Sequence, residues 1–141
     1  MTLPDVNVLL QAFRADSNDH VLCRAWLDGV VNGESKFGMS PQVLSGVVRI
    51  VTNPQAFVQP SQLDETLQYC EGLLQHPHCE VINPGPLHWE IFSRLCVEAN
   101  ARGNLVADAW FAALAIESGC EWITLDRDYA RFKGLHWRTP S

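Results

Sequence analysis

Four aspartates stand at the borders of apolar segments, and their placement constrains this chain more than any other feature. Asp5 separates the opening segment Met1–Pro4 from the run Val6-Asn7-Val8-Leu9-Leu10. Asp108 interrupts an otherwise continuous apolar stretch from Leu105 to Ile116. Asp126 closes the strand-like Glu121-Trp122-Ile123-Thr124-Leu125, and Asp128 follows two residues later. Desolvating a carboxylate costs on the order of several kcal/mol unless it is hydrogen-bonded, paired or bound to metal. Acids far apart in sequence, each held at the rim of a core, therefore point to an oxygen-lined site for a divalent cation.

With 141 residues, the chain has room for one domain with a real core, and residues 1–141 are read as a single domain. A hydrophobic share of 47% with 18% charged residues is that of a globular protein rather than a disordered one. The net charge of −6 argues against a protein that coats nucleic acid through a broad basic field, though not against an enzyme whose acids gather at a metal. No apolar run is long enough to span a bilayer, and the N-terminus lacks a secretory pattern, so a cytoplasmic protein without membrane association is expected. The five cysteines are scattered, with no closely spaced pair, which fits free thiols in a reducing compartment. His76-Pro77-His78-Cys79 reads as a surface turn, because no second ligand pair stands at a zinc-like distance.

Helices and short strands alternate. The spacing of Val6, Leu9, Leu10 and Phe13 predicts a first helix, with Asp5 as its N-cap. A second helix is expected from Ser17-Asn18-Asp19 to about Val31, followed by a strand at Lys36–Met39. Ser40-Pro41 has the order of a capping hydroxyl and an N1 proline and opens a third helix carrying Val43, Leu44, Val47, Val48 and Val51. Ser61-x-x-Asp64 resembles a capping box and opens a fourth, through about Leu74. Then come a strand at Glu80–Ile82, a fifth helix from about Leu87 to Arg102, and a sixth through Asp108 to Ser118-Gly119. A strand at Trp122–Leu125, a turn at Asp128–Phe132 and an edge strand near Leu135–Trp137 complete the chain. Such alternation implies an α/β protein: a three-layer α/β/α sandwich around a mostly parallel sheet. Ligands bind beyond the carboxyl ends of such strands, which puts Asp5 and Asp126 on one rim, within reach of Asp108.

Pro4-Asp5-Val6-Asn7-Val8-Leu9-Leu10 resembles the D-x-N opening of PIN domains. Asn104-Leu105-Val106-Ala107-Asp108-Ala109-Trp110 is similar to that family's helical acid segment, and Thr124-Leu125-Asp126-Arg127-Asp128-Tyr129 to its closing T-x-D-x-D-F, with Tyr129 for Phe. The separations and the tail Phe132-Lys133-Gly134-Leu135-His136-Trp137 are close to those of VapC toxins of bacterial toxin–antitoxin pairs. The resemblance implies a PIN-like fold and a Mg²⁺- or Mn²⁺-dependent endoribonuclease acting on structured RNA such as tRNA or rRNA. It also implies neutralisation by a VapB-type antitoxin, and a homodimer. It carries catalytic roles onto Asp5, Asp108 and Asp126, metal ligation onto these and Asp128, and supporting polar roles onto Asn7 and Thr124.

One departure stands out. The family places a glutamate in the third helix, where this chain reads Ser40-Pro41-Gln42-Val43-Leu44-Ser45-Gly46-Val47-Val48-Arg49, with Gly46 at or near the acid's position. Glu90 and Glu98 are the candidates to compensate. The alternative is a catalytically weakened domain that binds RNA or antitoxin. Arg49, Arg127, Arg131 and Trp110 are candidate substrate contacts, and surface salt bridges or core packing are the competing roles for each. The apolar segments Val21–Val31 and Val43–Val51 suggest a groove for an amphipathic antitoxin segment.

Overall fold

The computed structural model describes residues 1–141. Its order is β1 (Thr2–Pro4), α1 (Val6–Phe13), α2 (His20–Val31), β2 (Phe37–Met39), α3 (Pro41–Val51), α4 (Leu63–Leu74), β3 (Cys79–Val81), α5 (His88–Ala99), α6 (Asn104–Ser118), β4 (Glu121–Ile123), a short 3-10 helix (Arg127–Arg131) and β5 (Trp137–Arg138). All strand pairings are parallel, as expected for strands joined through helices. β4 is central in one ladder, between β1 and β5, while β2 and β3 form a second. The two ladders abut through Gly38: a Cβ there would stand 2.9 Å from Ile82 Cγ1 and 3.2 Å from the Thr2 carbonyl oxygen, so only glycine lets β2 lie this close to β1.

β1 and β4 run in register from Thr2↔Glu121 to Pro4↔Ile123, and both end at the same rim. The Asp5 amide extends this pairing by donating to the Ile123 carbonyl at 2.8 Å. Leu3, Trp122, Ile123, Phe37 and Met39 bring the sheet's share of the core, and Val43, Val47 and Val51 dock α3 onto it. α6 is buried along Ala109, Ala112, Ala113, Leu114 and Ala115. Small side chains there let the helix axis approach the sheet, and this fixes where Asp108, one residue upstream of the buried run, meets the strand ends.

Several expected boundaries shift. Ser61 does not cap α4, whose N-cap is Gln62 without a side-chain bond. The Ser61 hydroxyl instead accepts from Arg14 Nη1 at 3.1 Å. Arg14 also donates to the Gln59 carbonyl and to Asp16, and its guanidinium lies 3.9 Å from the Phe57 ring centroid. This buried arginine, unremarkable in sequence, ties α1 to the loop before α4. α2 begins at His20, because the Ser17 hydroxyl turns back onto the Gln11 carbonyl. α5 ends at Ala99, with Asn100 in the left-handed conformation at φ 49°. The strands are each displaced by a residue or so from their expected spans, as the ends of three-residue strands are set by ladder geometry rather than local pattern.

Candidate active site

Asp5 sits where β1 ends and α1 begins. Its extended backbone (φ −76°, ψ 164°) makes it the helix N-cap, and Oδ1 accepts from the Val6 amide at 2.7 Å. Oδ2 accepts from the Thr124 hydroxyl at 2.7 Å and from Asn7 Nδ2 at 3.2 Å. Asn7 in turn bridges to the other strand end, with Oδ1 accepting from the Leu125 amide at 3.1 Å. Thr124 Oγ1 also accepts from the Asp126 amide at 3.0 Å, which orients the next acid. Asn7 and Thr124, read from the sequence as supporting polar residues, thus lace the ends of β1 and β4 around Asp5.

Asp126 caps the 3-10 helix, and its Oδ1 accepts from the Asp128 amide at 2.9 Å. Asp108 Oδ1 accepts from the buried Tyr129 hydroxyl at 3.3 Å. Oδ2 of Asp126 and Oδ2 of Asp108 carry no hydrogen bond from the protein. Asp5, Asp108 and Asp126 line one cavity of about 390 Å³, together with Asn7, Arg49 and Tyr129 among others. Asp128 stands outside the lining, exposed, yet close enough for its charge to act on Asp108.

The electrostatics follow from burial and crowding. Asp5 is pushed up to about 6, chiefly by desolvation and further by the charges of Asp108 and Asp126, against the stabilising bonds from Thr124 and Val6. Asp108 is raised by desolvation and by Asp126, an effect that the Tyr129 hydrogen bond opposes. Burial and the surrounding acids hold the Tyr129 phenol protonated, so it serves only as a donor to Asp108.

This donor set fits a hard divalent cation. The lining supplies crowded carboxylate oxygens, and two of them are unbonded. No three His, Cys, Asp or Glu side chains converge closely enough to cage an ion by themselves. A divalent cation here would keep water in part of its shell.

The remaining candidates divide. Arg49 lines the acid cavity and a second cavity beside it, and forms no ion pair. Arg127 and Arg131 are exposed on the 3-10 helix and do not line the acid cavity. Trp110 is turned away from Asp108. Its indole N–H donates to Gln42 Oε1 at 2.6 Å, and its ring packs edge-on against His88, with centroids 4.1 Å apart. Glu90 is exposed and Glu98 pairs with Arg94; neither reaches the acids, so they do not replace a third-helix glutamate. Sequence reading missed Gln42 and the role of the Tyr129 hydroxyl. Gln42, Gly46 and Arg49 stand at i, i+4 and i+7, one helical face, and that spacing was the signal available.

A family model described as "PIN domain" matches residues 2–135. The chain is 39% identical over 140 residues to "VapC ribonuclease Mb2897" of Mycobacterium bovis, covering 99% of this chain and 95% of that one. It is 38% identical over 141 residues to "Ribonuclease VapC31" of Mycobacterium tuberculosis, covering 99% of each. Among solved structures, VapBC2 from Rickettsia felis bound to a promoter DNA fragment superposes with a TM-score of 0.71 at 15% identity, over 98% of this chain and 97% of that one.

Proposed function

The chain belongs to the PIN-domain family, and from that premise we propose that it is a metal-dependent endoribonuclease, the toxin of a VapBC-type pair, acting on structured RNA. The observation that carries the reading is the single cavity lined by Asp5, Asp108 and Asp126, which three separate elements deliver to one rim. Whole-chain likeness to relatives named ribonucleases supports it.

Asp5, Asp108 and Asp126 are the residues to hold Mg²⁺ or Mn²⁺, with Asp128 adding negative potential from outside. The chemistry that such an ion supplies when bound is a more acidic water and neutralisation of charge building on the scissile phosphate. Thr124 and Asn7 hold Asp5 in one orientation, so its position is fixed before substrate arrives. Tyr129 does the same for Asp108. Arg49 is the cation at this cavity's edge and contacts a substrate phosphate.

A VapB-type antitoxin is the proposed partner. An apolar groove of about 380 Å³ between α1, α2 and α4, lined by Ala12, Phe13, Leu27, Val31, Tyr69 and Leu73 among others, suits an amphipathic segment. The expected contribution of α3 falls away, because Val43, Val47 and Val51 are fully buried in the core. A homodimer accords with the family and with the exposure of Trp89 and Val97 on α5.

The test is purified protein on a panel of cellular RNAs with Mg²⁺, Mn²⁺ or chelator, beside Asp108→Ala. Asp108 is a cleaner control than Asp5, which also caps a helix. Discrete metal-dependent fragments that vanish in the variant support the reading. Intact RNA in all conditions, with binding retained, favours the alternative of a binding module.

A further inference from the structure

The absent third-helix side chain leaves space that the acids do not use. Beside the acid cavity, and sharing Val6, Arg49 and Phe111 with it, lies a second cavity of about 540 Å³. That volume is in the range of small-molecule sites, roughly 300–1,000 Å³. Its floor is Gly46, where a Cβ would already stand 3.0 Å from Val6 Cγ2, and its walls include Phe92, Phe111 and Trp110. Trp110 packs against His88 and Phe92, with centroids at 4.1 and 5.2 Å, so the aromatic wall is held in place.

Two polar side chains of this lining, Gln42 and Arg49, present donors, beside a Ser45 hydroxyl that can donate or accept. An indole N–H can only donate, so the Gln42 atom that faces Trp110 Nε1 at 2.6 Å is the amide oxygen. The Gln42 amide NH₂, which has no partner in the chain, is therefore the half left for a ligand. Arg49, the other strong polar group in the lining, has only donors.

We infer that this second cavity is a nucleobase subsite that accepts the base neighbouring the scissile phosphate and prefers guanine. The inference rests on the proposed ribonuclease reading. Continuity with the acid cavity places a base here when its phosphate is beside Arg49 and the acids. The aromatic walls receive the base's face. The O6 and N7 acceptors of guanine match the paired donors of Gln42 and Arg49, whereas adenine turns its N6 amine toward those donors, with which it cannot pair. Gly46 is a specificity-determining residue on this account, since any side chain there fills the floor.

The experiment measures binding rather than turnover. Oligouridylates of about eight nucleotides, carrying a single G, A or C at each position in turn, are titrated by fluorescence anisotropy in chelator. The wild-type chain is compared with Gln42→Leu and with Ala107→Leu, an exposed lining position where leucine suits the helix. One position is expected at which G tightens binding about tenfold over A, and that ratio falls toward one in Gln42→Leu. Ala107→Leu is expected to weaken G-containing oligomers selectively, with an unchanged circular dichroism spectrum. Equal binding of G and A at every position, a G preference that survives Gln42→Leu, or no binding at all overturns the subsite. Cleavage of structured cellular RNAs with Mn²⁺ is scored separately. A G preference in binding without cleavage leaves the subsite standing and sinks the nuclease reading.

Discussion

Thr124 donates its hydroxyl to Oδ2 of Asp5 at 2.7 Å, joining residues 119 positions apart at the ends of two neighbouring parallel strands. Thr124 is fully buried and Asp5 only 5% exposed, so neither can turn to water. Thr124→Val keeps the volume and removes the donor to Asp5 and the acceptor for the Asp126 amide. A loss of about 1–3 kcal/mol in stability is expected, read from urea unfolding. Metal-dependent cleavage should fall further than stability alone explains, because both Asp5 and Asp126 lose orientation.

Asp5 also sets a pH dependence. Its carboxyl titrates near 6 in the folded chain against an ordinary 3.8, so between those values the native state binds more protons than the unfolded one. Its contribution is therefore present below 3.8 and is lost as pH rises through about 6, a cost of roughly 3 kcal/mol at neutral pH. Asp108 shifts in the same direction. In chelator, urea midpoints should drop on going from mildly acidic to neutral buffer, and Asp5→Asn should flatten the drop. Added Mg²⁺ should stabilise the chain more at neutral than at acid pH, since protons compete for the same oxygens. Metal affinity that stays flat across this range would contradict the arrangement.

The hydroxyl of Tyr129 is the one polar atom that separates this residue from the phenylalanine of the motif it resembles. It donates to Asp108 Oδ1, while the ring packs against Trp122 and Phe132 at 5.5 and 5.8 Å. Tyr129→Phe should fold normally, with stability within about 1 kcal/mol of wild type. The hydrogen bond lowers the Asp108 pKa, so its removal should move the acid limb of metal binding to higher pH. An unmoved limb would show that the hydroxyl has no hold on the acid.

The acids and their two polar supports were legible in sequence because each stands beside a strong local signal: a strand end, a helix cap or an apolar period. Asp5, Asn7, Thr124 and Asp126 meet as expected because parallel strands with matched register end together. Gln42 was legible only as sharing a helical face with Gly46 and Arg49, since its hydrogen bond depends on Trp110, 68 positions away. Ser61 misled for a related reason: its capping pattern is real, but Arg14 takes the hydroxyl first. Trp110 follows Asp108 by two residues on a helix, which turns the two side chains to different sides. That geometry puts the tryptophan in the neighbouring cavity rather than among the acids.

Restoring the third-helix acid should harm this chain. Glycine inside a helix costs about 0.5–1 kcal/mol relative to alanine, so Gly46→Glu gains in propensity. Against that gain, a Cβ at this position stands 3.0 Å from Val6 Cγ2, and Val6 is stiff at χ1 and bonded through its amide to Asp5. Relief must come by moving Val6, which displaces Asp5. Gly46→Glu alone is therefore expected to lower both stability and cleavage. Adding Val6→Ala should recover stability, with a coupling of about 1 kcal/mol in a double-mutant cycle. RNA affinity should stay low in both variants. A carboxylate at 46 lies three residues from Arg49 on the same face, pairs with it, and withdraws the cation shared by the two cavities. Recovery of RNA binding together with stability in the double variant would mean that Arg49 is not the phosphate contact.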